Sequence, residues 1–529
     1  PASLTLLTGK NAIMFAAESL VRTLINQGVE VCFTNPGTSE MHMVAALDRV
    51  EGMKSVLCLF EGVATGAADG YARMAGKPAC TLLHLGPGVG NGLANLHNAR
   101  RAFAPVVNIV GDHAVAHAGL DAPLTSDVAG VCAPMSRWVG KVNLASEVST
   151  MAVEAVRQSY GPERGVASLI LPADCAWSDQ EPDVIEAVTL PPLRPVDDSA
   201  IDAAANALQA AKSPILFLGN EACLEGGLQA AARIAAASGA RLFMDTFVPR
   251  IARGHGRPSP KRLSYLGGEA IQELADCDLL LIAGTKSPVA FFAYPGERGE
   301  FAPEGAQTLT LGGPADDIIA AMGALADRLG PAKAVPAPER SQMPKIFPDE
   351  PLNPGYVGIS MARHMPENSI LCDDATTSGM GVFPWTDNGP KHDWLCLTGG
   401  AIGAGMPQAV GAALACPERQ VFALCGDGAA AYTLQALWTQ AREKLNVINI
   451  VFANHSYLVL NFELARVGAG EPGPSAQQML SLDNPKMDWV KLAEGFGVPG
   501  VRARTAGEFD TALAAAIKAG GPQLIVAEI

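Results

Sequence analysis

Asp427 stands in Gly426-Asp427-Gly428, directly after the apolar run 421–425. Asn454 follows a second apolar run, Val447–Ala453, and a helix-like stretch, 432–443, lies between the two. The pattern predicts a strand–helix–strand unit whose strands, if parallel neighbours, end side by side. Each end then offers an oxygen at the carboxyl edge of the sheet, where open α/β sheets bind ligands. A carboxylate and an amide oxygen, with glycines that let the backbone come close, suit Mg2+ clamped on a diphosphate. Alone, the same residues would also serve as an ordinary tight turn, because short Gly/Asp motifs are common.

Glu61 is the second candidate. The segment 60–73, from Phe60-Glu61-Gly62-Val63 to Gly70-Tyr71-Ala72-Arg73, opens a helix right after a strand. A carboxylate at a helix N-terminus can simply compensate the helix dipole. Glu61, however, is flanked by Phe60, Gly62 and Val63, with no adjacent Lys or Arg. A buried carboxyl of that kind suits proton exchange with a nitrogen base.

The elements that must position these residues alternate along the chain. Short apolar runs at 29–34, 55–60, 80–84 and 106–110 predict buried strands in a first region. Runs at 215–218, 242–244 and 279–282 do so in a second, and 370–372, 421–425, 447–452 and 524–526 in a third. Ala-rich helical stretches separate them, which predicts an α/β fold of parallel sheets covered by helices on both faces. Two proline-rich stretches, 181–195 and 331–354, lack either periodicity and read as extended linkers. The expected organisation is therefore three domains: residues 1–180, 196–330 and 355–529.

Composition bounds the possibilities. A hydrophobic content of 49% against 17% charged residues supplies large cores. A net charge of −15 argues against a nucleic-acid partner, which needs clustered Lys and Arg. No apolar run reaches the roughly 18–20 residues needed to span a bilayer. Residues 1–20 carry Lys10 and Glu18 among polar positions and do not read as a secretory signal. Eleven scattered cysteines with no Cys-x-x-Cys pair predict buried thiols in a reducing cytoplasm, with neither a zinc site nor a disulfide framework.

Gly426-Asp427-Gly428 followed by Asn454 at this spacing resembles the metal–diphosphate motif of thiamine diphosphate enzymes. By that resemblance Asp427, Asn454 and the backbone carbonyl of Ser456 hold Mg2+, while Gly426, Gly428, Ala429, Tyr457 and Leu458 line the same end of the cofactor. Ala429 departs from a serine often found there. The segment 61–72 resembles the catalytic helix of 2-oxo acid decarboxylases and acetolactate synthases, where the glutamate meets N1′ of the cofactor's pyrimidine. Ala375-Thr376-Thr377-Ser378 falls where hydroxyls contact the diphosphate. Gly399-Gly400-Ala401-Ile402-Gly403 resembles the segment that bends the cofactor. There Ile402 wedges between its rings and the Gly400 carbonyl accepts the 4′-amino proton. Gly86-Pro87-Gly88, with Asn91-Gly92, is similar to a glycine turn beside the pyrimidine.

The resemblance is nearest to the benzoylformate decarboxylase branch. Asn35-Pro36-Gly37-Thr38-Ser39-Glu40 matches its strand-end turn, with Thr38 where a serine meets substrate. His84 matches a catalytic histidine of that branch, and His113 follows the next strand end. Either would supply a proton donor, and either could instead be a structural, hydrogen-bonded residue. The expected reaction is non-oxidative decarboxylation of a 2-oxo acid, carboligation, or both, through an enamine intermediate. An acetolactate synthase-type carboligase or a non-catalytic regulatory protein remain alternatives. Pro249-Arg250-Ile251-Ala252-Arg253 stands near the family's flavin signature without matching it, so FAD is not expected. The family supplies the glutamate from a neighbouring subunit, which implies at least a homodimer and commonly a homotetramer. Leu458, Val459 and Phe462 lie where the substrate channel is expected and would equally suit a core. No arginine is placed for a second substrate carboxylate. A nicotinamide dehydrogenase is disfavoured, because no Gly-x-Gly-x-x-Gly with a following acidic residue occurs in the right context.

Overall fold

The computed structural model describes residues 14–180, 183–331 and 342–529. Among them, three sheets carry the architecture. The first orders its strands Lys54–Leu57, Val31–Thr34, Ala79–His84, Val106–Asp112, Val166–Pro172 and Trp138–Lys141, all parallel. The second runs Lys261–Arg262, Arg241–Met244, Pro214–Leu218, Leu279–Ala283 and Gln307–Gly312, again parallel. The third runs Ile251–Arg253, His392–Cys396, Ser369–Asp374, Val421–Gly426, Val447–Ala453, Gln523–Glu528 and Gly500–Ala503. Each apolar run read from the sequence holds a strand, because strands buried on both faces need a continuous apolar stretch. Strands at sheet edges, such as Trp138–Lys141 and Gly500–Ala503, keep one face partly wet and carry no such run.

The α/β expectation holds, with one departure at an edge. Ile251–Arg253 leaves the middle region and pairs antiparallel with His392–Cys396 of the third sheet. The arginines of the stretch set against a flavin signature are spent on that junction. The Arg253 guanidinium is buried, 3.3 Å from the Phe383 ring centroid and 2.8 Å from the Asp387 carboxylate. Arg250 pairs with Asp393 at 2.7 Å. Of the expected linkers, residues 181, 182 and 332–341 lie outside the described residues; 183–193 and 342–350 contain neither helix nor strand. All eleven cysteines are free, and all but Cys416 are buried. Among the described residues, no helix is long and apolar enough to cross a membrane.

The first and third sheets are joined through two helices, Glu61–Ala75 and Gly405–Ala415. Both are lined with Gly and Ala, so their backbones touch. A Cβ on Gly411 would sit 1.9 Å from the Ala67 carbonyl oxygen, and one on Gly70 would sit 2.2 Å from that of Gln408. At the far end of the first helix, the buried Arg73 clasps Asp69 through Nε and Nη2 at 2.8 and 2.6 Å. It also donates to the Cys396 carbonyl and to Thr398 Oγ1, while Gln408 donates to Asp69. Burial alone would push the Asp69 carboxyl up; Arg73 and Gln408 act against that.

Removing one member of such a buried pair strands the other charge. Arg73→Met should therefore weaken the union of the two regions by about 3–5 kcal/mol. Chemical unfolding that showed no loss in this variant would contradict the packing described.

Candidate active site

Parallel pairing brings the N-terminal candidates to one edge. Thr34 is level with Leu57 and Leu82, and His84 is level with Gly111. Thr38, Glu61, His84 and His113 thus all follow the carboxyl ends of neighbouring strands, as ligand-binding residues of open α/β sheets do. Glu61 begins its helix with Phe60 as the extended cap and is buried at 8% exposure. Among the described residues, no cation pairs with it. Asn91 Nδ2 instead donates to Glu61 Oε2 at 3.0 Å, which leaves Oε1 above Gly88. The glycines around Asn91 do not form a turn as expected. They make the first turns of a helix, Leu85–Arg101, which starts directly at the strand end through Leu85 at φ 43°. Pro87 is tolerated there because first-turn N–H groups lack partners in any case.

His84 is held by Glu40, the last residue of the strand-end turn 35–40. Its Nδ1 lies 2.9 and 3.1 Å from the two carboxylate oxygens of Glu40, and 3.1 Å from Ser39 Oγ. Glu40 is almost fully buried; the Gly37 N–H also donates to it, and its Oε1 lies where a side chain on Gly111 would be. The imidazole face packs on Gly37, where any Cβ would collide with it at 2.2 Å. With Nδ1 engaged, Nε2 is the atom left to act. Thr38 is exposed in the short 3-10 turn Thr38–Glu40. His113 tilts against His117 at 5.4 Å, and its buried Nε2 has no hydrogen-bond partner among the described residues. No hydrogen bond joins His113 to His84.

The C-terminal candidates gather at the edge of the third sheet. Val421–Gly426 and Val447–Ala453 are parallel neighbours, with Gly426 level with Phe452, as the strand–helix–strand reading requires. The predicted helical stretch 432–443 holds the helix Ala436–Glu443, and a further short helix, Asp427–Ala430, begins at Asp427 itself. Asp427 is 2% exposed; its carboxylate accepts the N–H of Gly428 at 2.9 Å and of His455 at 2.8 Å. Burial pushes its carboxyl above the usual range, and the two N–H groups oppose the shift. Asn454 Oδ1 accepts the Ser456 N–H at 3.0 Å, which folds this turn over Asp427. Tyr457 packs on Gly428, where a Cβ would meet its ring at 2.4 Å. Ala429 is buried against the turn. Leu458 opens the helix Leu458–Arg466, in which no residue is buried; Leu458 and Phe462 are exposed, so within this chain they are not core.

Thr376 and Thr377 follow the strand Ser369–Asp374, with Thr376 held at φ 48°. A non-glycine residue in that region marks a backbone constrained by its surroundings. The segment 399–405 is held from neighbouring elements at residues 399, 401 and 403. His97 Nε2 is 3.1 Å from the Gly399 carbonyl, and Asn98 bonds both the carbonyl and the N–H of Ala401. Asn95 and Thr433 donate to the Gly403 carbonyl. Among the described residues, Gly400 and Ile402 make no hydrogen bond, and Phe291 of the middle region lies against Gly400.

This donor set fits a divalent cation on a diphosphate. One buried carboxylate, one amide oxygen and a carbonyl at a glycine-rich edge are hard oxygen ligands, and a cation there would reverse the effect of burial on Asp427. Glu61 offers a free carboxyl oxygen, and Gly400 a free carbonyl, for the other end of an elongated ligand. No hydrogen bond joins Glu61 to Asp427 or Asn454 within the chain. Asn91 and Glu40 stand inside the glycine-rich and strand-end motifs, whereas Asn98 and Asp374 carry no local signal.

Comparison with known proteins gives the family. Residues 14–131 match the thiamine pyrophosphate enzyme N-terminal TPP binding domain, and residues 374–527 match the corresponding C-terminal TPP binding domain. A Mycobacterium tuberculosis protein named "Putative acetolactate synthase large subunit IlvX" is 46% identical over 97% of this chain and 98% of its own length. The benzoylformate decarboxylase of Pseudomonas aeruginosa is 29% identical over 95% and 96%. A solved Rhodococcus jostii RHA1 thiamine diphosphate-dependent 4-hydroxybenzoylformate decarboxylase shares the fold with a TM-score of 0.86 at 24% identity, covering 97% of this chain and 99% of that one. The chain belongs to the thiamine pyrophosphate enzyme family, among its acetolactate synthase-like and decarboxylase members.

Proposed function

We propose that the chain is a thiamine diphosphate- and Mg2+-dependent enzyme that decarboxylates a 2-oxo acid without oxidation. The observation that carries this reading is the His84 imidazole, oriented by the buried Glu40 on the same sheet edge as Glu61. Thiamine diphosphate, when bound, supplies the electron sink for the charge left by loss of CO2. Asp427, Asn454 and the Ser456 carbonyl would hold Mg2+ on its diphosphate, with Thr376 and Thr377 on the same end. Glu61 Oε1 would hold the proton exchanged with the pyrimidine, while Asn91 keeps the carboxyl in place. The Gly400 carbonyl would accept from the amino group and Ile402 would support the bend. His84 Nε2 would deliver the proton that ends decarboxylation, with Thr38 and His113 as further candidates on that edge.

Glu61 bonds Asn91 and shares no hydrogen bond with Asp427 or Asn454, which is consistent with a site completed by a second copy of the chain, hence a homodimer at minimum, with a homotetramer as a pair of such dimers. The free, buried thiols support a cytoplasmic setting. The likeness to a protein named as an acetolactate synthase subunit favours a second reading, in which a carbonyl acceptor competes with the proton and carboligation results.

Glu61→Gln should slow hydrogen–deuterium exchange at C2 of the bound cofactor while leaving Mg2+ binding intact; unchanged exchange would remove Glu61 from this role. Asp427→Ala should abolish Mg2+-dependent retention of thiamine diphosphate in equilibrium dialysis. His84→Ala should lower the rate of aldehyde formation by about 10²-fold or more, the usual share of a positioned acid. A panel of 2-oxo acids, with and without aldehyde acceptors, separates the two reactions: CO2 released with no aldehyde product would favour carboligation.

A further inference from the structure

One carboxylate stands between the two segments assigned to opposite ends of the cofactor. Asp374 is the last residue of Ser369–Asp374, two residues before Thr376, and is 1% exposed. Its Oδ2 accepts three successive backbone N–H groups, from Gly403, Ala404 and Gly405, at 2.8, 2.8 and 3.1 Å. Three consecutive N–H groups turned on one oxygen form an anion nest. Gly405 is required at its position, because a Cβ there would lie 2.9 Å from Asp374 Cβ and 2.8 Å from Cys425 Sγ. From the opposite side, Asn98 donates to the Ala401 carbonyl at 2.8 Å and accepts from its N–H at 3.3 Å. The two grips fall on residues 401 and 403–405 and pass over Gly400 and Ile402.

We propose that Asp374, opposed by Asn98, is a positioning residue that clamps the segment 401–405 so that the Gly400 carbonyl and the Ile402 side chain are presented to the cofactor. The assignment rests on the thiamine diphosphate reading above and adds to it the device that keeps the bend. No hydrogen bond joins Asp374 to Asp427, Asn454 or Ser456; its bonds go to Gly403, Ala404 and Gly405. Its carboxylate acts by supplying three N–H groups with one shared acceptor, which leaves the neighbouring groups of Gly400 and Ile402 unspent. A neutral amide accepts these N–H groups more weakly than an anion does, since charge-assisted bonds are roughly twice as strong.

The test uses Asp374→Asn in the full-length protein. In the cofactor-free variant, backbone amide exchange of a peptide spanning 399–407 should accelerate while peptides in Val421–Gly426 stay protected. With thiamine diphosphate and Mg2+ added, affinity should stay within about threefold of the parent, because the Asp427 edge is untouched. The near-ultraviolet circular dichroism of the bound cofactor should change, and C2 exchange should fall by about 10- to 100-fold, the cost of a small misplacement. Unaltered amide exchange and dichroism, or an affinity loss as large as the loss of C2 exchange, would overturn the clamp. Should the variant not fold, Asn98→Ala releases the opposite grip and must show the same pattern or the proposal fails. A parent protein that binds no thiamine diphosphate would instead overturn the functional reading, which the amide-exchange arm does not use.

Discussion

The contact on which the rest of the structure depends is the one between helices Glu61–Ala75 and Gly405–Ala415. Glycine at 66, 70 and 411 removes the side chains that would hold the two backbones apart. Close packing at that distance leaves little room for sliding, since protein interiors tolerate neither voids nor overlap. Each helix directly adjoins a functional segment. The first begins at Glu61, and the second follows the stretch 399–404. Docking them therefore sets the spacing between Glu61 and the segment 399–404 within one chain. The Asp69–Arg73 pair at the far end, bonded to Cys396, Thr398 and Gln408, fixes how far one helix can rotate on the other.

Buried carboxylates recur around this joint, and they are handled in different ways. Asp69 is given a guanidinium. Asp427 and Asp374 are given backbone N–H groups instead, two and three respectively. Burial pushes Asp374 up to about 7, and the three N–H groups only partly restrain it. Because its folded-state pKa is raised above the unfolded value, this group favours the fold most when protonated. Its contribution is lost as pH rises from the ordinary carboxylate range through about 7. An anion held beneath a loop is thus kept at some cost in stability, as is common where function and packing compete.

The middle region contributes more than spacing. Its strand Ile251–Arg253 extends the third sheet, and Arg253 is inserted between Phe383 and Asp387. Phe291 reaches Gly400, and Tyr294 donates to Glu463 at 2.8 Å on the helix that follows the Asn454 turn. Both the segment around Gly400 and the helix after the Asn454 turn are therefore braced by side chains from the middle region. Arg250 and Arg253 of the same region are used at its junction with the third sheet.

What the sequence by itself determined was local. Continuous apolar runs specified strands buried on both faces, and glycine-flanked Asp427, Asn454 and Glu61 marked strand ends, because a parallel sheet aligns all such ends on one edge. Edge strands such as Trp138–Lys141, with one wet face, left no comparable trace. Partnership across the chain was decided only by the tertiary structure. Asn91 on Glu61, Glu40 on His84, and Asp374 and Asn98 on the segment 401–405 are short polar residues whose hydrogen bonds depend on where two elements cross. Hydrogen bonds reach about 3 Å, so they are set by the last ångström of packing, which periodicity and motif spacing do not encode.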